Sequence, residues 1–210
     1  MIAVAVLIII GCVIFKAHPV TAPATGNPTL EQTVSDGTIT VGYPSDFGLA
    51  KNATQVLVHA YIPPCDENFD YCLYYNGAAY TGTNFESAGV RIAKRADLAT
   101  ASLCLQTLPN GYTSGLTPKI TTGSDYQTSV FSPLGDGATG HYASGALYRL
   151  AYGSACYEFE TRIGETQFAN YPAGTIQEFT TADRAAVQAK LDAIATGVTL
   201  PGGGHITFAK

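Results

Sequence analysis

From Ile2 to Phe15 the chain runs 14 residues without a charge and with almost no polar atom. As a helix this run spans roughly 21 Å, against a hydrocarbon core of about 30 Å, and no basic residue precedes it. Residues 1–17 therefore read as a membrane anchor or signal segment, marginal in length for a span. Processing at Ala22 to Ala24 or lipidation at Cys12 are the competing readings, an uncleaved anchor being preferred. Residues 18–36 lose all apolar period and fill with Pro, Thr, Ala and Gly, as a tether does. Beyond Gly37 the pattern changes to short β-branched and aromatic runs bounded by turn residues. Strands are predicted at 38–43, 55–61, 88–93, 102–105 and 126–131, with a short one at 119–121 inside a Gly/Thr/Ser/Pro-rich loop over 109–124.

The strongest periodic signal lies between His141 and Ile163. Alternation on both sides of Gly153 and Ser154 predicts a hairpin with a two-residue II′ turn, in which glycine supplies the positive φ. Counting outward sets Leu150 opposite Tyr157, Tyr148 opposite Phe159 and Ala146 opposite Thr161 on one face. The other face then carries Arg149 opposite Glu158, beside Glu160 and Arg162. A one-residue slip would break both matches. Residues 180–196 switch to a helical period: Thr180 or Thr181 caps, Asp183 stands in the first turn, and Val187, Leu191, Ile194 and Val198 share one stripe. Together these elements predict an α+β domain over 37–210, mostly antiparallel sheet with a late C-terminal helix packed on it.

Composition narrows the class. Charged residues are 13% of the chain, while Gly numbers 22 and Tyr 13, as in β-rich extracellular proteins. A formal charge of −5 with 11 scattered basic residues argues against nucleic acid as a partner. Arg91, Lys94 and Arg95 form the one basic group and read as a solvated strand face. Apart from Cys12, four cysteines remain: Cys65, Cys72, Cys104 and Cys156. In an oxidising compartment they predict two disulfides. Three connectivities are open in principle; Cys65 and Cys72 flank a short polar segment that closes as a local loop, which leaves Cys104 with Cys156. The spacing lacks the close pairs of a zinc site, and neither metal nor cofactor is expected.

Other candidate chemistry is sparse. Residues 135–140 (GDGATG) spell G-x-G-x-x-G, but an alternating strand rather than a helix follows, so a turn is predicted instead of a dinucleotide loop. Asp66, Glu67 and Asp70 make an acidic loop without the calcium-binding spacing. Asn52 to Thr54 has the form of a glycosylation sequon. His141, with Asp136 or the hairpin carboxylates Glu158 and Glu160, is the candidate general base of an enzyme reading, though no nucleophile motif accompanies it. Tyr74, Tyr75 and Tyr80 with Asn76 and Gly77 form an aromatic, amide-rich stretch suited to stacking on a sugar or contacting a protein.

Residues 61–65 (YIPPC), 71–75 (YCLYY), 83–89 (TNFESAG), 140–142 (GHY), 148–149 (YR), 156–158 (CYE) and 172–175 (PAGT), taken in order, resemble a family of membrane-anchored proteins of unknown function from small-genome uncultured bacteria. The resemblance runs from Val41 to Leu200. It implies an anchored extracytoplasmic α+β domain similar to the PsbP-like fold, adds weight to the disulfide at Cys104 and Cys156, and draws attention to His141. It implies no activity. The expectation is a membrane-tethered, non-enzymatic binding or structural module of the cell envelope, with His141, Tyr74, Tyr75 and Tyr80 as binding residues and an envelope protein or glycan as partner. The alternative is an envelope hydrolase or metal-dependent enzyme built on His141 and nearby carboxylates.

Overall fold

A computed structural model describes residues 28–51, 61–65 and 69–209. Two antiparallel sheets and two α-helices, with two single-turn 3-10 helices, make up this body. Strands β1 (Gln32–Ser35) and β2 (Thr40–Tyr43) form a small sheet with β10 (Val198–Thr199), in the order β1-β2-β10. The larger sheet runs β3-β4-β5-β9-β8-β7-β6, with β3 at Phe47–Lys51, β4 at Tyr71–Tyr75, β5 at Phe85–Lys94, β6 at Lys119–Thr122, β7 at Tyr126–Ala138, β8 at His141–Tyr152 and β9 at Ala155–Thr166. Helix α1 spans Ala101–Gln106 and α2 spans Thr181–Thr196. The expected architecture, antiparallel sheet with a C-terminal helix on it, is what the chain adopts.

The β8–β9 hairpin has the register its alternation dictates. Leu150 stands opposite Tyr157, Tyr148 opposite Phe159, Ala146 opposite Thr161 and Arg149 opposite Glu158. Gly153 has φ +57 and Ser154 keeps a negative φ, the division a II′ turn needs. At the other end of β8, Thr139 and Gly140 take φ of 52 and 83 to turn β7 back into β8. The glycine-rich stretch over 135–140 is thus strand and turn, with no helix N-terminus to receive a phosphate.

Strand alternation divides the large sheet into two different faces. One carries Leu73, Val90, Tyr148, Leu150, Tyr157, Phe159 and Ile163, all in the main core with Val187, Leu191 and Ile194 of α2. That helix starts as a capping box: Thr180 Oγ1 accepts from Asp183 N at 3.2 Å, while the Asp183 carboxylate accepts from Thr180 N at 2.9 Å. The small sheet and the terminal run containing Ile206 and Phe208 complete this core. Thr128 Oγ1 donates to Thr207 O at 2.8 Å and seats the terminal run on β7.

Three expectations are corrected or relocated. Residues 102–105 lie in α1, not in a strand: Thr100 caps the helix by accepting from Leu103 N, and one face carries Cys104 into the sheet. Six residues are too few to display a helical period. Strand β1 occupies part of the stretch read as tether, because Val34 pairs with Val41 and is buried. The expected strand at 55–61 lies outside the described residues except for Tyr61, as do the anchor over 1–17, the sequon over 52–54, and Asp66 and Glu67 of the acidic loop. No helix among the described residues is long and apolar enough to cross a membrane.

Candidate functional site

The second face of the large sheet is charged where the first is apolar. Arg91 of β5, Arg149 of β8, and Glu158, Glu160 and Arg162 of β9 all project from it. Glu158 and Arg149 are each only 1% exposed. Glu158 gathers three guanidinium groups. Arg149 Nε donates to its Oε2 at 2.8 Å, Arg95 Nη1 donates to both oxygens at 2.9 and 3.0 Å, and Arg91 Nη2 donates to Oε1. Arg91 also donates to Glu160 at 2.9 Å, and Arg162 Nη2 donates to the other oxygen of Glu160 at 2.8 Å. Burial alone pushes the Glu158 carboxyl up, but the charges of Arg91 and Arg149 with their hydrogen bonds outweigh it and hold the group below the usual range. Arg91 and Arg95, expected on a solvated face, belong to this network instead.

Two covers take this face out of water. Helix α1 packs on β8, β7 and β9, and is tied down by the disulfide between Cys104 and Cys156. Its end supplies acceptors, since Arg149 Nη1 donates to Cys104 O at 3.2 Å and to Thr107 O. On the other side residues 61–64 cross β5 and β9 as a strap. Ser87 Oγ donates to Ile62 O at 2.5 Å, and the disulfide between Cys65 and Cys72 fixes the strap's end to β4. Glycine permits this approach: a Cβ on Gly89 would stand 2.8 Å from Pro64, and one on Gly164 3.0 Å from Ile62.

Beside the strap a cleft of about 300 Å³ remains open. Arg91, Glu158, Glu160 and Arg162 of the charged sheet face lie at its floor, and Tyr61 to Pro63 of the strap, Pro109, Asn110, Tyr112 and residues 134–138 line the rest. The register shift between Phe131 and Leu134 sets that last segment apart from the buried half of β7, and bulges of this kind bend a strand. Tyr112 is fixed against it by its hydroxyl, which donates to Gly135 O and accepts from Gly135 N, both at 2.8 Å.

His141 lines the same cleft, with partners other than those expected. Its Nδ1 pairs with Glu86 Oε2 at 2.9 Å, and its ring stacks on Tyr61 with centroids 4.1 Å apart and planes 22° from parallel. Asp136 accepts from the adjacent Gly137 N, while Glu158 and Glu160 are engaged by arginines. The aromatic stretch lies elsewhere. Tyr75 and Tyr80 are 6% and 7% exposed and pack with Phe85 and Phe179 in the main core. Tyr74 is half-buried beside the pair Cys65 and Cys72. The two core rings cannot present a contact surface, whereas Tyr61, 62% exposed at the cleft mouth, can.

Glu86, Arg91, Tyr61 and Tyr112 were not singled out as site residues by the sequence, because each reaches the cleft through a distant partner. Both disulfides join the cysteines expected to pair. Among the described residues no group of three or more His, Cys, Asp or Glu is placed to hold a metal ion. No protein-family model matches the chain, and no curated protein matches it.

Proposed function

We propose that this is a ligand-binding module without catalytic activity, tethered in the cell envelope through residues 1–17, with the cleft under the strap as its seat of binding. The observation that carries this reading is the buried charge network at the cleft floor. Ion pairs taken out of water seldom stabilise a fold more than apolar residues of the same size would. A floor of this kind instead holds donors and acceptors in fixed directions beneath an opening, as a pocket that recognises a polar ligand requires. The paired cysteines fit an oxidising compartment, and the resemblance to anchored extracytoplasmic proteins belongs to the same reading.

The second reading, an envelope hydrolase, draws on the pair His141 and Glu86 at the cleft edge. It needs a nucleophile or bound water within reach of the histidine, and a His141→Ala variant that loses activity on an envelope substrate while keeping its fold would favour it.

The chain contains no tryptophan, so one placed at the cleft reports on that site alone. In full-length protein, Tyr61→Trp is expected to change emission saturably with one size fraction of a soluble envelope extract, while Ile120→Trp on β6 stays silent. No response from any fraction, or equal responses from the two variants, would overturn the binding reading.

A further inference from the structure

We infer that the ligand of the cleft is a short saccharide of roughly one or two rings in contact, an assignment that rests on the binding reading above. The floor offers both signs of charge in planar, paired form. Arg162 and Glu160 are joined at 2.8 Å, and Arg91 bridges Glu160 to the buried Glu158. A guanidinium presents only donors and a carboxylate only acceptors, whereas each sugar hydroxyl is both donor and acceptor. Adjacent hydroxyls can therefore bond to neighbouring members of such a pair without breaking it.

Other ligand classes fit less well. An apolar molecule would cover the floor without meeting its polar groups, each at the cost of an unmade hydrogen bond. An ion of either sign would lie beside a like charge, because each glutamate at the floor is bonded to an arginine there. A neutral, hydroxyl-rich molecule meets neither penalty.

The walls add a second, independent argument. Tyr61 is 62% exposed although one side of its ring lies on His141, so much of the rest is open. With His141 held by Glu86, the ring is a fixed platform at the mouth, suited to the C–H face of a pyranose. Tyr112, which also lines the cleft, is immobilised by two hydrogen bonds to Gly135, and Asn110 adds an amide with both donor and acceptor. The volume, about 300 Å³, lies at the small end of ligand pockets and excludes a long chain lying wholly inside. A glycan would enter by its end.

The test is saturation-transfer NMR on the detergent-solubilised full-length chain with chitotriose, cellotriose, maltotriose and xylotriose, followed by calorimetry on whichever binds. Transfer to at least one trisaccharide is expected, strongest at a terminal ring. Tyr61→Ala is expected to weaken that binding at least ten-fold and Glu160→Gln similarly, with Ile120→Ala unchanged. Tyr61 is exposed, so its variant remains informative even if Glu160→Gln fails to fold. No transfer from any of the four, or transfer undiminished by Tyr61→Ala, would overturn the assignment. If the Tyr61→Trp reporter then responds to a protease-sensitive envelope fraction, the saccharide is wrong and the binding reading stands. If it responds to nothing, both fall.

Discussion

Arg149 and Glu158 face each other across the β8–β9 ladder, bonded at 2.8 Å, and each is 1% exposed. Such a pair on an open strand face contributes a few tenths of a kcal/mol to about 1 kcal/mol. Covered by α1 and joined to Arg91 and Arg95, it becomes an element whose halves cannot be removed separately. Removing the carboxylate leaves three guanidinium groups around a void. Glu158→Ala is expected to destabilise the fold by about 3–5 kcal/mol, read as a lowered urea midpoint. A change below about 1 kcal/mol would mean that the network is not coupled as described.

The same carboxylate sets a dependence on pH. Its folded-state pKa is depressed, so its contribution is complete above the unfolded value of about 4.3 and disappears as pH falls through the lower folded value. Urea midpoints should therefore be level with respect to this group from about pH 7 to about 5 and decline below about 4. Glu158→Gln should flatten part of that decline. An unaltered acid limb in the variant would assign the acid sensitivity to other groups.

The disulfide between Cys104 and Cys156 closes a separation of 52 residues and holds α1 over Arg149. Replacing both cysteines by serine should cost roughly 4 kcal/mol on the chain-entropy account. Because α1 supplies acceptors to Arg149, this loss and that of Glu158→Ala should fall short of additive by about 0.5 kcal/mol or more in a double-mutant cycle. Strict additivity would separate the helix from the network.

Gly89 lies under the strap, where a methyl group would meet Pro64 at 2.8 Å and the carbonyl oxygens of Leu73 and Pro64 at 3.0 Å. Backbone atoms cannot yield as a side chain does. Gly89→Ala is expected to lift the strap, at about 1–3 kcal/mol, and to speed amide exchange at Tyr61, Ile62 and Cys65 relative to β8. Unchanged exchange there would show that the strap does not rest on this glycine.

The hairpin register and α2 were legible because both are local: alternation with period two and a capped helical stripe announce themselves within about 25 residues. The nature of the second sheet face was not. Arg149, Glu158, Glu160 and Arg162 carry the same letters whether the face is wet or covered. The covers come from α1, fixed by a cysteine 52 residues away, and from a strap that contacts Ser87 at a separation of 25. Glu86 was hidden from His141 by 55 residues. Tyr75 could have been placed inward, since alternation along β4 puts it on the same face as Leu73. Tyr80 lies beyond the strand in a short turn, where no period speaks.

The claim that the cleft under the strap is where this protein meets its ligand is tested most directly inside its own cells. A photocrosslinking benzophenone residue at position 61, compared with one at position 120, should capture one recurrent envelope component from the cleft position alone. Capture at position 120 but not at 61, or the same products from both, would contradict the account.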